Sequence, residues 1–193
     1  LGVMVHELLA GKREAADVPL EAVDLARSFT DSILGARSRR ATTIAHEFDF
    51  LLSLEGMIVR GQMDLWFEEG GELVLIDYKT DQVTAGQEHR QAFRYGPQMR
   101  LYAMALERWR GRPVTRAFVF FLRTGVAVPV SLKPERIEEA RLQVRQLREA
   151  QARLEFPPRE GNHCTHCGYY LGACPARPEL TLTESAPMPT SLV

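Results

Sequence analysis

Apolar residues in this chain recur either every three to four positions or in short unbroken runs, and the two patterns divide it into a small set of elements. Gly2, His6 and Leu9 keep helical spacing and Gly11 is a natural stop, so a first helix is expected up to about Ala10. A second helix is expected after Pro19, with Val23, Ala26, Phe29 and Ile33 as its buried stripe. Residues 44–52 read as a strand, and two further β-prone runs flank Glu68-Glu69-Gly70-Gly71 in a hairpin pattern. Residues 84–94 are polar and carry Gly86, which predicts a mobile loop over a site. Pro97 suits the first turn of a helix whose stripe is Met99, Tyr102, Leu106 and Trp109, ending before Gly111-Arg112-Pro113. Residues 117–122 are apolar throughout, as in a strand buried on both faces, and Thr124-Gly125 turns them into a partner over 126–130. A long helix after Pro134 places Ile137, Ala140, Val144, Leu147 and Leu154 on one side. Residues 179–193 read as a flexible tail. This order predicts a mixed α/β domain over residues 1–178.

The length of 193 residues suits one domain with a sizeable core. A net charge of −1 excludes a broadly basic nucleic-acid binder, yet leaves room for a localised phosphate-binding groove. Arg37, Arg39 and Arg40 form one candidate cluster, and Arg90, Arg94 and Arg100 another; each reads equally well as a solvated face. No stretch approaches membrane-spanning length and no signal peptide is visible, so no membrane association is expected. The opening Gly2-Val3-Met4-Val5-His6 already reads as the inside of a helix, which predicts a fragment of a longer polypeptide. All three cysteines fall in Cys164-x2-Cys167-x6-Cys174, a metal or cluster knuckle rather than a disulfide framework. That usage predicts a reducing, cytoplasmic setting.

The hairpin carries the candidate chemistry. Its arms are Gly61-Gln62-Met63-Asp64 and Ile76-Asp77-Tyr78-Lys79-Thr80. A loop centred between Glu69 and Gly70 places Asp64 opposite Leu75, makes Asp64 and Asp77 diagonal neighbours, and sends both to one face with Lys79. Two such carboxylates suit a divalent cation, and a one-residue slip would undo the geometry. Phosphodiester hydrolysis needs hard oxygen ligands for one or two Mg²⁺ or Mn²⁺ ions, which Asp64, Asp77 and the carbonyl of Tyr78 can supply. Lys79 beside them suits orienting the attacking water or stabilising charge in the transition state. The bland alternative is a surface hairpin with a solvated salt bridge.

Gly2-x3-His6, Gly61-x2-Asp64, Asp77-Tyr78-Lys79-Thr80 and Gln98-x3-Tyr102 follow the order and spacing of the RecB-type nucleases of the PD-(D/E)XK superfamily. The chain most resembles the C-terminal nuclease domain of AddA-like and other UvrD/Rep-type bacterial helicase–nucleases, from Gly2 to about Pro175. The resemblance implies a restriction-endonuclease-like core, a central mixed β-sheet flanked by helices. It implies that Asp64 and Asp77 are metal ligands, that His6 is a ligand or orients one, and that Lys79 is catalytic. Gln98 and Tyr102, four apart on one helix face, would approach the active site and the DNA backbone; Tyr102 reads equally as a core residue. Glu47 stands where the family often has a glutamate ahead of the hairpin.

Cys164, Cys167 and Cys174-Pro175 resemble the iron–sulfur staple of AddB-like nucleases, whose fourth cysteine lies upstream and is not in this chain. Zinc held by the three cysteines with His163 or His166, or a metal-free remnant, are the alternatives. The function implied is a metal-dependent DNA nuclease, an exonuclease in DNA end processing and recombinational repair, fed by a helicase motor elsewhere. The rivals are a non-catalytic DNA-binding or scaffold module of such an assembly and a zinc-stabilised interaction domain.

Overall fold

Two consecutive glycines fix the centre of the sheet. In the computed structural model, which describes residues 1–158, 160–170 and 174, β2 (Met57–Glu69) turns into β3 (Glu72–Lys79) through Gly70 and Gly71 alone. Both have positive φ, 57° and 83°, as a two-residue turn matching the strand twist requires. The turn is thus centred one residue later than the sequence pattern suggests. Trp66 rather than Asp64 pairs with Leu75, and the last pair before the strands part is Leu65 with Ile76. The register is off by two. An even shift by itself leaves side-chain phase unchanged.

Five strands lie in the order β1-β2-β3-β4-β5, with β1 at Thr43–Leu54, β4 at Arg116–Phe121 and β5 at Val126–Pro129. Only β3 and β4 run parallel. The connection between them holds α4 (Glu88–Ala92), a 3-10 turn (Phe93–Tyr95) and α5 (Gly96–Arg110). On one face of the sheet, α1 (Gly2–Leu9), α2 (Leu20–Thr30) and α3 (Ile33–Ser38) bury Val5, Leu25, Phe29 and Leu34 against Leu65, Phe67, Ile76, Tyr78 and Phe120. On the other, α5 and α6 (Pro134–Arg153) pack Met99, Leu106, Ala140 and Val144 against Phe50, Met63, Trp66, Leu75 and Val119. A mixed sheet between helical layers is the expected architecture.

Several expectations need correction. The helix after Pro19 breaks at Ser32, whose hydroxyl accepts the N–H of Gly35 and caps a new helix; Ile33 is left 81% exposed and Leu34 is buried instead. A side chain at Gly35 would put its Cβ 2.2 Å from the Phe29 carbonyl, so this tight corner depends on glycine. Residues 84–94 are a loop only as far as Gln87, since Glu88 onward folds into α4 and the 3-10 turn. The last helix buries Ala140 and Val144 but leaves Leu147 half exposed, and it ends at Arg153, so Leu154 is not part of it and is 84% exposed. Trp109 also stays 54% exposed, although its ring packs against Phe48 and Trp66.

Leu1–Arg148 forms one compact unit and the chain from Glu149 a second. In the second, a 3-10 turn over Asn162–His166 brings the Gly161 N–H to the Cys164 sulfur at 3.3 Å. Cys164 is buried, Cys167 exposed, Cys174 intermediate, and all three are free thiols. The expected tail at 179–193 lies outside the described residues.

Candidate functional site

Strand alternation fails at one rung, and the candidate residues gather there. Along β1, Ala45 and then Phe48, Phe50, Leu52 and Leu54 pack into the core beneath α5, so the phase slips between residues 45 and 48. Along β2, Met63 and Trp66 belong to that core while Leu65 and Phe67 serve the opposite one, a slip at the same height. Glu47 lies at this rung with φ of +45°, a left-handed conformation costing a residue with a Cβ roughly 1–2 kcal/mol. The residue facing it in register is Asp64. The β1–β2 pairing is otherwise continuous from Thr43 to Leu54.

Asp64 therefore turns into the fork where β2 leaves β3. One carboxylate oxygen accepts the N–H of Tyr78 at 2.7 Å, taking the place of a backbone carbonyl. The other lies 3.2 Å from Nδ1 of His6, which α1 delivers from the first face. Burial disfavours the imidazolium, but the hydrogen bond and charge of Asp64, with Asp77 behind it, outweigh that and raise the His6 pKa. The His6 ring also stands edge-on to Tyr78, at 5.8 Å between centroids. The Tyr78 side chain belongs to that core, and its hydroxyl has no hydrogen-bond partner.

Asp77, one residue before Tyr78, is 1% exposed. Burial first, then the charge of Asp64, lifts its pKa to about 6 against the opposing pull of Lys79. Its Oδ1 accepts from the Gln98 side-chain amide at 3.3 Å, and that amide also donates to the Tyr102 hydroxyl at 2.6 Å. Both come from α5, so the i, i+4 pair does share the face turned toward the fork. Lys79 Nζ lies 2.5 Å from the other oxygen, Oδ2, as an ion pair. That approach is out of hydrogen-bond alignment, so the buried Oδ2 has charge compensation without an aligned donor.

Three further groups complete the surroundings. Lys79 sits over the Tyr95 ring, 4.5 Å from its centroid, and the Tyr95 hydroxyl donates to Asp81. Burial and that carboxylate push the Tyr95 hydroxyl up to about 12. Neither residue was singled out from sequence; the position of Asp81, two after Lys79, was the available signal. Gly61 leaves room for Phe50 and Tyr102, since a Cβ there would stand 2.7 Å from the Phe50 ring and 3.2 Å from that of Tyr102. Glu47 does not join the set and pairs with Lys12 instead. The Arg37–Arg40 cluster is held by the protein itself: Arg37 binds Glu69 and Glu72, Arg40 faces Glu69, and Arg39 donates to the Thr30 carbonyl.

As they stand, no three His, Cys, Asp or Glu side chains among the described residues converge into a metal-holding group. At the fork, the acidic donors are turned toward cationic partners, Asp64 to His6 and Asp77 to Lys79. The chemistry of the set nonetheless fits a hard cation, with two neighbouring carboxylates and one buried oxygen lacking an aligned donor. The cysteine segment shows no comparable convergence among the described residues.

Comparison with known proteins identifies the family. An ATP-dependent helicase/nuclease subunit from Anoxybacillus flavithermus is 36% identical over 111 residues, covering 54% of this chain and 9% of the relative. Its counterpart from Desulforudis audaxviator is 38% identical over 108 residues, covering 49% of this chain and again 9% of the relative. The chain thus spans about a tenth of the length of these curated relatives. The crystal structure of SSO0001 superposes with a TM-score of 0.50 at 15% identity, over 89% of this chain and 77% of that one, a likeness of fold. No described helix is long and apolar enough to cross a membrane. The sequence profile of the PD-(D/E)XK nuclease superfamily runs from residue 4 to residue 175, through both arms of the hairpin and α5, and the chain belongs to that superfamily.

Proposed function

We propose that the fork is the active site of a metal-dependent deoxyribonuclease. The observation that carries this reading is the meeting of Asp64 and Asp77 at the strand fork, with Lys79 2.5 Å from a buried Asp77 oxygen that lacks an aligned donor. Asp64, Asp77, His6 and the carbonyl of Tyr78 would hold Mg²⁺ or Mn²⁺. When bound, such an ion polarises the phosphate and lowers the pKa of a coordinated water. A cation held by the Asp77 carboxylate would compete with Lys79 for it, and Lys79 would then be free to turn toward water or phosphate. Gln98 holds Asp77 in place, and Tyr102 holds Gln98. In the reaction a water oxygen forms the new bond to phosphorus, one P–O bond of the backbone breaks, and the leaving oxygen takes up a proton.

The names of the relatives support a setting beside a helicase motor; DNA end processing and recombinational repair, exonucleolytic cutting and a cytoplasmic location are proposed with it, on the resemblance of the motifs. The three cysteines are proposed to hold an iron–sulfur cluster, with a fourth ligand from outside this chain, or zinc; metal analysis and visible absorbance of anaerobically prepared protein distinguish these. The nuclease reading is tested with end-labelled single- and double-stranded DNA and either metal. The chain should cut, and Asp77→Ala should lose activity by about 100-fold or more. Cutting retained by Asp77→Ala would overturn the site assignment, and no cutting by either protein would overturn activity of this chain alone.

A further inference from the structure

The connection between β3 and β4 presents two unlike sides. Inward, it is anchored: the buried carboxylate of Glu88 accepts the Gly86 N–H at 2.8 Å, Ala92 is in the core, and Tyr95 binds Asp81 beneath Lys79. Outward, it exposes His89, Arg90, Phe93 and Arg94, with Phe93 75% exposed. The segment is helical throughout, so Arg90 and Arg94, four apart, lie beside one another, as do His89 and Phe93.

A single exposed phenylalanine is ordinary; this one's setting is not. Neither Arg90 nor Arg94 meets a carboxylate among the described residues, a state they share with Arg60 and Arg108, whereas Arg37, Arg110, Arg112, Arg116 and Arg123 all do. Phe93 also borders a cavity of about 250 Å³ shared with Arg100 and the backbone near Ser131. It stands two residues from Tyr95, whose ring touches Lys79.

We infer that Phe93 is a stacking platform for an unpaired base of a single DNA strand, with Arg90 and Arg94 holding phosphates of that strand beside the fork. The inference rests on the reading of the fork as a DNA-cleaving site and adds a strand preference to it. Only a single strand offers a free base face; a duplex keeps those faces stacked on one another. Anchoring the platform from behind lowers the ordering cost when the strand arrives.

The test measures binding by fluorescence anisotropy of the whole chain in EDTA, so that no cleavage intervenes. Its probes are a labelled oligothymidine, the same strand with abasic sites, and a duplex of equal length. Phe93→Ala should weaken oligothymidine binding about tenfold and leave the abasic strand and duplex unchanged; Phe93→Trp should bind oligothymidine at least as well as the parent. Arg90→Ala/Arg94→Ala should weaken both single strands alike and lower the salt slope by about 1–2. Equal effects of Phe93→Ala on oligothymidine and the abasic strand, or none on either, would overturn the platform. Absence of single-strand binding by the parent at low salt would overturn it too, and an effect confined to duplex would reverse the assigned preference. Metal-dependent cutting by the parent is read separately, so failure of the nuclease reading leaves its own mark.

Discussion

Asp64 accepts the backbone N–H of Tyr78 at 2.7 Å, one step past the last β2–β3 pair. The carboxylate thus closes a sheet ladder and stands in the candidate active site at once. Asp64→Ala should lose activity and also destabilise the fold by about 1–3 kcal/mol, because the Tyr78 N–H is left without an acceptor. Asp64→Asn keeps an acceptor oxygen and should lose activity with a smaller loss of stability. Urea unfolding of the two variants alongside a cleavage assay separates the roles.

Tyr102 reaches Asp77 only through Gln98, which assigns it a positioning role in the proposed reaction. Tyr102→Phe keeps the ring beside Phe50 and removes only the oxygen that meets the Gln98 amide. The expected result is roughly a tenfold fall in kcat with little change in KM, and a melting temperature close to that of the parent.

Gly61 provides the space into which the Phe50 and Tyr102 rings fit. Gly61→Ala should push these rings and cost about 1–3 kcal/mol, with a fall in activity that follows the displacement of Tyr102. Thermal unfolding and the cleavage rate should decline together, and a stable, fully active variant would contradict the packing described.

Glu68 joins β2 to the end of α5 through Arg110 and Arg112. Burial opposes its ionisation, but the two guanidiniums prevail and hold its pKa below the ordinary 4.5. A depressed carboxylate pKa stabilises the folded state above 4.5, and that contribution is lost as the pH falls through the folded value. Glu68→Gln should therefore be less stable than the parent at pH 7 by about 1 kcal/mol or less, with the gap closing on acidification. Chemical unfolding at several pH values measures it.

The fold was legible where one residue type forces one conformation. Gly70-Gly71 announced the hairpin, Pro97 and Gly111 bracketed α5, and the apolar run before Thr124 announced the buried β4. The candidate pair was legible because both carboxylates lie on the two arms of one hairpin; what turns Asp64 toward Asp77 is the slip in β2, not the expected alternation. What sequence could not supply was tertiary. Ser32 reads as helix until its hydroxyl finds the Gly35 N–H, and Ile33 then leaves the stripe. Residues 84–94 are polar because one side of their helix faces water, and the anchors Glu88, Ala92 and Tyr95 are spaced too sparsely to betray it. The Arg37–Arg40 cluster resembled a phosphate site until the fold brought Glu69 and Glu72 to it. Nothing local marks the slip at Glu47 and Asp64, which exists only where two strands and two cores meet.

That slip ties the carboxylates to both cores. Neither layer of helices can seat Asp64 and Asp77 alone: α1 reaches one through His6, α5 the other through Gln98, and these contacts join residues 6 and 64, and 77 and 98. Both contacts are non-local, so each closes a loop of chain. A chain still folding, or one loosened by heat in either half, therefore lacks the arrangement entirely. The fork is thus a joint between the two cores, and damage to either layer of helices reaches the pair of carboxylates.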